Sequence, residues 1–139
     1  MPCIERLLAD AIALACLVAV VAVFESIKGQ IPLHKVLFIC GKNRWRSPTA
    51  EQIFSEHPGV ECASAGLSHD AEVPVSADLV EWADQIFVME KRHKAKLSAQ
   101  FMPHLQGKKV VCLNIPDKYK FMEPALVTLL GNKVTPFLP

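Results

Sequence analysis

The sequence predicts an α/β fold: a single domain with a four-stranded parallel sheet flanked by helices on both faces. Three observations carry this. Runs suited to strands (Val36–Ile39, Val60–Ala65, Gln85–Met89, Lys108–Ile115) alternate with helical stretches, the pattern of a parallel sheet joined by crossover helices. The first run is continuously apolar rather than alternating, as a strand buried on both faces requires. The chain has 139 residues, 51% of them hydrophobic, which suits one domain with a sizeable core.

The elements follow in order. Val36–Ile39 is the first strand and ends at Cys40. Pro48 to about Glu56 is a helix with Ile53 and Phe54 towards the sheet, stopped by His57-Pro58-Gly59. Val60–Ala65 is the second strand, closing at Ser64-Ala65-Gly66. A loop over Leu67–Pro74 leads to a short helix, Val75–Asp84, with Ser76 as its cap. Gln85–Met89 is the third strand. The helix from Glu90 to about Leu105 carries Lys91, Arg92, Lys94 and Lys96, read as a solvated basic face. Lys108–Ile115 is the fourth strand and Phe121–Lys133 the last helix, expected to pack beside the first.

Residues 1–34 differ in character. Ala11–Phe24 is an unbroken apolar run, shorter than a spanning helix prefers. The segment reads first as an apolar extension or misassigned start. A single membrane anchor through residues 7–24 ranks second and a signal peptide third, since the leading residues carry little positive charge. As an anchor, the basic residues after the run would leave the domain cytoplasmic. The domain proper is then residues 35–139. The formal net charge of +1 gives no reason to expect a nucleic-acid surface. Five scattered cysteines without a Cys-x-x-Cys pair imply reduced thiols in a cytoplasmic setting rather than disulfides or zinc. The five histidines show no metal-ligand spacing and are expected to be surface or satisfied groups, so neither metal nor cofactor is expected.

The chemistry concentrates in Cys40-Gly-Lys-Asn-Arg-Trp-Arg46-Ser-Pro-Thr-Ala-Glu51. After the strand, Gly41 and Asn43 tolerate positive φ, and Ser47-Pro48 opens a helix, so convergent N–H groups and a helix N-terminus can cradle an anion. Cys40 stands where those amides favour the thiolate, the nucleophilic form. Arg46, after five intervening residues, can grip two phosphoryl oxygens with its planar fork, and Ser47 can give its hydroxyl to the sulfur. A chance pairing of structural cysteine and surface arginine is the alternative, weakened by the flanking strand and helix start. On the rim past the fourth strand, Asp117 is the candidate general acid; a helix cap is its competing role.

These residues resemble the low-molecular-weight protein tyrosine phosphatases over about residues 35–139. That family carries a Cys-x5-Arg-Ser-Pro-x-Ala-Glu loop with asparagine at the position of Asn43, and a Ser-Ala-Gly like Ser64-Ala65-Gly66. Its Asp-Pro-Tyr triplet reads here Asp117-Lys118-Tyr119. The resemblance implies phosphomonoester hydrolysis through a cysteinyl-phosphate at Cys40, with Arg46 as clamp and Asp117 as acid. Gly41, Lys42, Asn43, Arg44, Trp45 and Ser47 would form the substrate-binding loop, and Tyr119 would line the pocket mouth. The substrate implied is a phosphorylated protein or a small aryl phosphate.

The chain departs from the family pattern in three places. Trp45 replaces the second loop cysteine, Gly41-Lys42 alters the loop, and the segment before the third strand is shortened. Two competing readings accompany the enzyme. One is a non-catalytic phosphate-binding adaptor. The other is an arsenate reductase of the same fold, which needs a resolving thiol pair that Cys62 and Cys112 do not supply in sequence.

Overall fold

The structure, a computed structural model, describes residues 32–139. The readings of the apolar N-terminal run fall outside the described residues. Among the described residues no helix is long and apolar enough to cross a membrane. Leu33–Pro139 forms a compact unit.

Within it, β1 (His34–Cys40) is the central strand, paired in parallel with β2 (Val60–Gly66) on one side and β3 (Gln85–Val88) on the other. β4 (Lys109–Cys112) adds to β3, giving the order β2-β1-β3-β4. The expected four-stranded parallel sheet is what forms. The helices are α1 (Arg46–Phe54), α2 (Ala77–Trp82), α3 (Lys91–Phe101) and α4 (Pro124–Val134). Ser76 caps α2 as expected, its hydroxyl accepting the Leu79 N–H at 3.2 Å.

Alternation along β1 sorts its side chains onto two faces. Val36, Phe38 and Cys40 face a cluster with Ala50 and Phe54 of α1 and Leu126, Leu130 and Val134 of α4. Leu37 and Ile39 face the other, with Val80 of α2 and Leu97 of α3. Val36 to Ile39 are wholly buried, which explains their unbroken apolar run. The layers are therefore helix, sheet, helix.

Two boundaries differ from expectation. β4 ends at Cys112, although the Leu113 and Ile115 N–H groups still bond Val88 and Met89 carbonyls at 2.9 and 2.8 Å. Asn114, at φ 54°, breaks the regular ladder between them. The last helix starts at Pro124 instead of Phe121, because Met122 at φ 59° stands outside helical backbone.

Strand order reverses direction around β1 and β3, so the carboxyl ends of these strands flank the crevice where such sheets bind ligands. Gly66 closes the far side. A Cβ there would sit 2.6 Å from Gly41 O, 2.7 Å from Ala71 Cβ and 2.9 Å from Asn43 N, two of them backbone atoms of the loop after β1. Gly66→Ala should therefore lower the unfolding free energy by about 1–3 kcal/mol in urea titration and weaken inorganic phosphate binding together. Unchanged values for both would show that the loop yields freely.

Candidate active site

The loop after β1 owes its shape to bonds made by the loop after β2. The N–H groups of Leu67, Ser68 and Glu72 donate to the carbonyls of Cys40, Gly41 and Lys42 at 3.0, 2.8 and 3.1 Å. In a planar trans peptide the N–H points opposite to its carbonyl. Holding three carbonyls outward therefore turns the N–H groups of Gly41, Lys42 and Asn43 inward. The Asn43 N–H reaches Cys40 Sγ at 3.2 Å. The N–H groups of Gly41, Lys42, Arg44 and Trp45 have no protein acceptor among the described residues.

Asn43 takes the left-handed conformation at φ 56°, which asparagine tolerates. Gly41 does not take positive φ, and a Cβ there would make only an ordinary contact, 3.8 Å from His93 Nε2. The Asn43 amide donates to Ser47 Oγ at 2.9 Å and Ser64 Oγ at 3.0 Å, and the Ser64 hydroxyl donates to Glu51. Ser47 Oγ lies 2.9 Å from Cys40 Sγ. The Asn43 N–H and the Ser47 hydroxyl therefore meet at the sulfur. Ser47 reaches the sulfur as expected, and Asn43 and Ser47, both placed in the substrate-binding loop by the sequence, are buried beneath it in this network.

Arg46 opens α1 and is 3% exposed. One terminal amino group donates to Ile115 O at 2.8 Å and lies 3.5 Å from Glu90 Oε2. Its Nε is 3.5 Å from Asp117 Oδ1. The Asp117 turn is fastened on both sides, by that Ile115 bond and by the Met122 N–H donating to Thr49 Oγ1 of α1 at 2.9 Å.

Together these groups surround a cavity of about 550 Å³. Of the candidate site residues, Cys40, Gly41, Lys42, Arg44, Trp45, Arg46 and Asp117 line it. Tyr119 does not. It is half-buried against the cluster beneath α1 and α4, where its ring gains apolar burial, with Lys118 Nζ 5.5 Å from the ring centre. Two α3 residues assigned to a solvated face, Arg92 and Lys96, are exposed as expected and also line the cavity. One turn apart, they share the helix face turned to it.

Sequence reasoning missed Glu90 and His93. The Glu90 carboxylate stands 2.6 Å from Arg92 Nε and 3.4 Å from His93 Nε2. Burial raises its pKa, but the Arg92 hydrogen bond and the Arg46 charge outweigh that and hold it below the usual value. His93 is neither a surface nor a satisfied histidine: it is 4% exposed and its Nε2 has no hydrogen-bond partner. Only its position one turn into a helix that follows a strand end could have signalled this.

Among the described residues the other two cysteines, Cys62 and Cys112, stand apart from the pocket. Burial, with the charges of Glu51 and Glu61, pushes the Cys62 thiol up to about 12, and Cys112 packs against the opposite face of the sheet. Neither joins Cys40 as a resolving thiol. Among the described residues no His, Cys, Asp and Glu cluster could hold a metal ion.

Burial, then the nearby Arg46 charge, lowers the His93 pKa from 6.5 to about 4, despite the opposing Glu90. Between those values the unfolded chain binds a proton that the folded chain refuses, so this group makes stability rise with pH through the window. The wild-type minus His93→Asn difference in unfolding free energy should climb from pH 4 to 6.5 and then level off. A flat difference would show that His93 titrates normally in the folded state.

A comparison with models of known families gives no match. A low-molecular-weight protein-tyrosine-phosphatase Wzb of Salmonella typhimurium is 32% identical over 117 residues, covering 63% of this chain and 78% of that protein. Among solved structures, Vibrio vulnificus Wzb in complex with benzylphosphonate superposes with a TM-score of 0.62 at 22% identity, over 76% of this chain and 97% of that one. The YwlE arginine phosphatase of Geobacillus stearothermophilus gives 0.55 at 20% identity, over 70% and 88%. Sheet, loop and relatives agree, and the chain belongs to the low-molecular-weight protein-tyrosine-phosphatase family.

Proposed function

We propose that residues 35–139 form a metal-independent phosphatase that hydrolyses phosphotyrosine or a similar aryl phosphate in two displacements. The observation that carries this is the cradle: a thiol with converging donors, facing the same cavity as a buried arginine. Cys40 Sγ attacks phosphorus, and the bond to the aryl oxygen breaks. Asp117 gives its proton to that departing oxygen. Water then attacks the cysteinyl-phosphate while Asp117 takes the proton back, and inorganic phosphate leaves with the thiolate restored.

Each neighbour has a part in this scheme. The free loop amides bind the equatorial oxygens, whose charge builds in the transition state. Arg46 shares them through the edge of its fork not engaged by Ile115 O. An arriving phosphoryl dianion takes over Arg46 Nε from Asp117, which frees the carboxyl to face the leaving group. Trp45, 45% exposed at the cavity, offers a flat apolar wall to an aryl ring. The Vibrio relative's ligand, a phosphonate on a benzyl group, is of that chemistry. A thiolate nucleophile suits a reducing compartment, which goes with a cytoplasmic location.

The deciding experiment is p-nitrophenyl phosphate hydrolysis by the full chain and by residues 33–139, with and without EDTA. Both should turn over and ignore the chelator, and Cys40→Ser should release no phosphate. Binding without turnover in the wild type would leave an adaptor. Asp117→Ala should slow phenyl phosphate by about 10²–10³ and p-nitrophenyl phosphate much less, because only the poorer leaving group needs the proton. Equal losses would remove Asp117 from the acid role.

A further inference from the structure

His93 is the buried polar group at the cavity that this two-step scheme leaves without a part. The Glu90 N–H donates to its Nδ1 at 3.2 Å, so the neutral ring carries its proton on Nε2. That N–H is buried and lacks an acceptor. A donor shut away from water and left unpaired is costly, so its persistence beside a reactive loop calls for an explanation. Being buried, Nε2 is not placed to touch substrate directly. The group within reach is Glu90 Oε2, 3.4 Å away, where a small swing of the carboxylate into line with the N–H would complete the bond.

The same oxygen is contested. Arg92 Nε holds it at 2.6 Å from an exposed position, while the buried Arg46 waits at 3.5 Å. Whichever way that carboxylate leans decides how firmly the Arg46 amino group is fenced between Glu90 and Ile115 O. The geometry points to His93 as a positioning residue: its Nε2–H draws the Glu90 carboxylate inward from Arg92, so that Arg46 presents the free edge of its fork to the phosphoryl oxygens. A neutral donor suits the task. A cationic side chain there would compete with Arg46 for the carboxylate and repel the guanidinium. The role deepens the phosphatase reading above and rests on it for its consequence in turnover, though not for its consequence in phosphate binding.

The test is a double-mutant cycle on the full chain with His93→Asn, Glu90→Gln and both. Asparagine keeps an acceptor near Nδ1 for the Glu90 N–H, and so keeps the start of α3, but it has no donor at the Nε2 position. His93→Asn should lower kcat for p-nitrophenyl phosphate about tenfold and weaken inorganic phosphate binding by calorimetry several-fold, with little change in Tm. With Glu90→Gln already present, adding it should cost nothing further, since its path runs through that carboxylate. His93→Gln, whose amide reaches near Nε2, should recover most of the loss. Full activity in His93→Asn, additive losses in the double variant, or no rescue by glutamine would each overturn the proposal. A wild type that binds phosphate but hydrolyses nothing would instead sink the phosphatase reading, and the calorimetric cycle would still decide the role of His93.

Discussion

Three backbone hydrogen bonds, from Leu67, Ser68 and Glu72 to the carbonyls of Cys40, Gly41 and Lys42, are the constraint on which the site depends. They leave the loop amides no outward direction, and an isolated loop would not hold its dipoles against one another. The neighbouring connection after β2 therefore takes part in building an anion site to which it contributes few side chains. The close packing of Gly66 against Gly41 and Asn43 follows from the same need, because the two loops must approach to hydrogen-bonding distance. The bridge between Gly66 and Pro74, with the Gly66 N–H donating to Val73 O and the Val75 N–H to Gly66 O, keeps that second loop in place.

A polar core then sits directly under a catalytic surface. Asn43, Ser47, Ser64 and Glu51 form a chain of hydrogen bonds that ends at the sulfur. Such a network is stabilising only when its members are satisfied, and here most of them are. The exception is across the cavity, where α3 brings a tightly packed group of charges against Arg46. Structural order and chemical readiness are thus divided between two elements. The loop fixes the nucleophile, and the first turn of α3 surrounds the clamp.

The sequence made some of this plain and left some of it hidden, for physical reasons. Val36–Ile39 announced itself because a central parallel strand must be apolar on both faces, and Ser76 because a cap needs a hydroxyl at one position. The loop was legible because its chemistry is local: nucleophile, asparagine, arginine and serine lie within eight consecutive residues. Glu90, His93, Arg92 and Lys96 were not, because their role depends on which face of α3 turns to the cavity. Helical charge by itself looks like a solvated surface. Tyr119 misled in the opposite sense: a family triplet suggested a pocket wall, whereas the ring packs half-buried against the edge of the core.

The fastening of the Asp117 turn has a kinetic consequence. Its two ends are tied to α1, through Arg46 to Ile115 and through Thr49 to Met122, and α1 begins where the nucleophile loop ends. In the two-step scheme proposed above, Asp117 and Cys40 are thereby tied through one helix, and only the Asp117 side chain has to swing. On that scheme no large segment has to diffuse shut before the bond breaks, so solvent viscosity has no lid closure to slow.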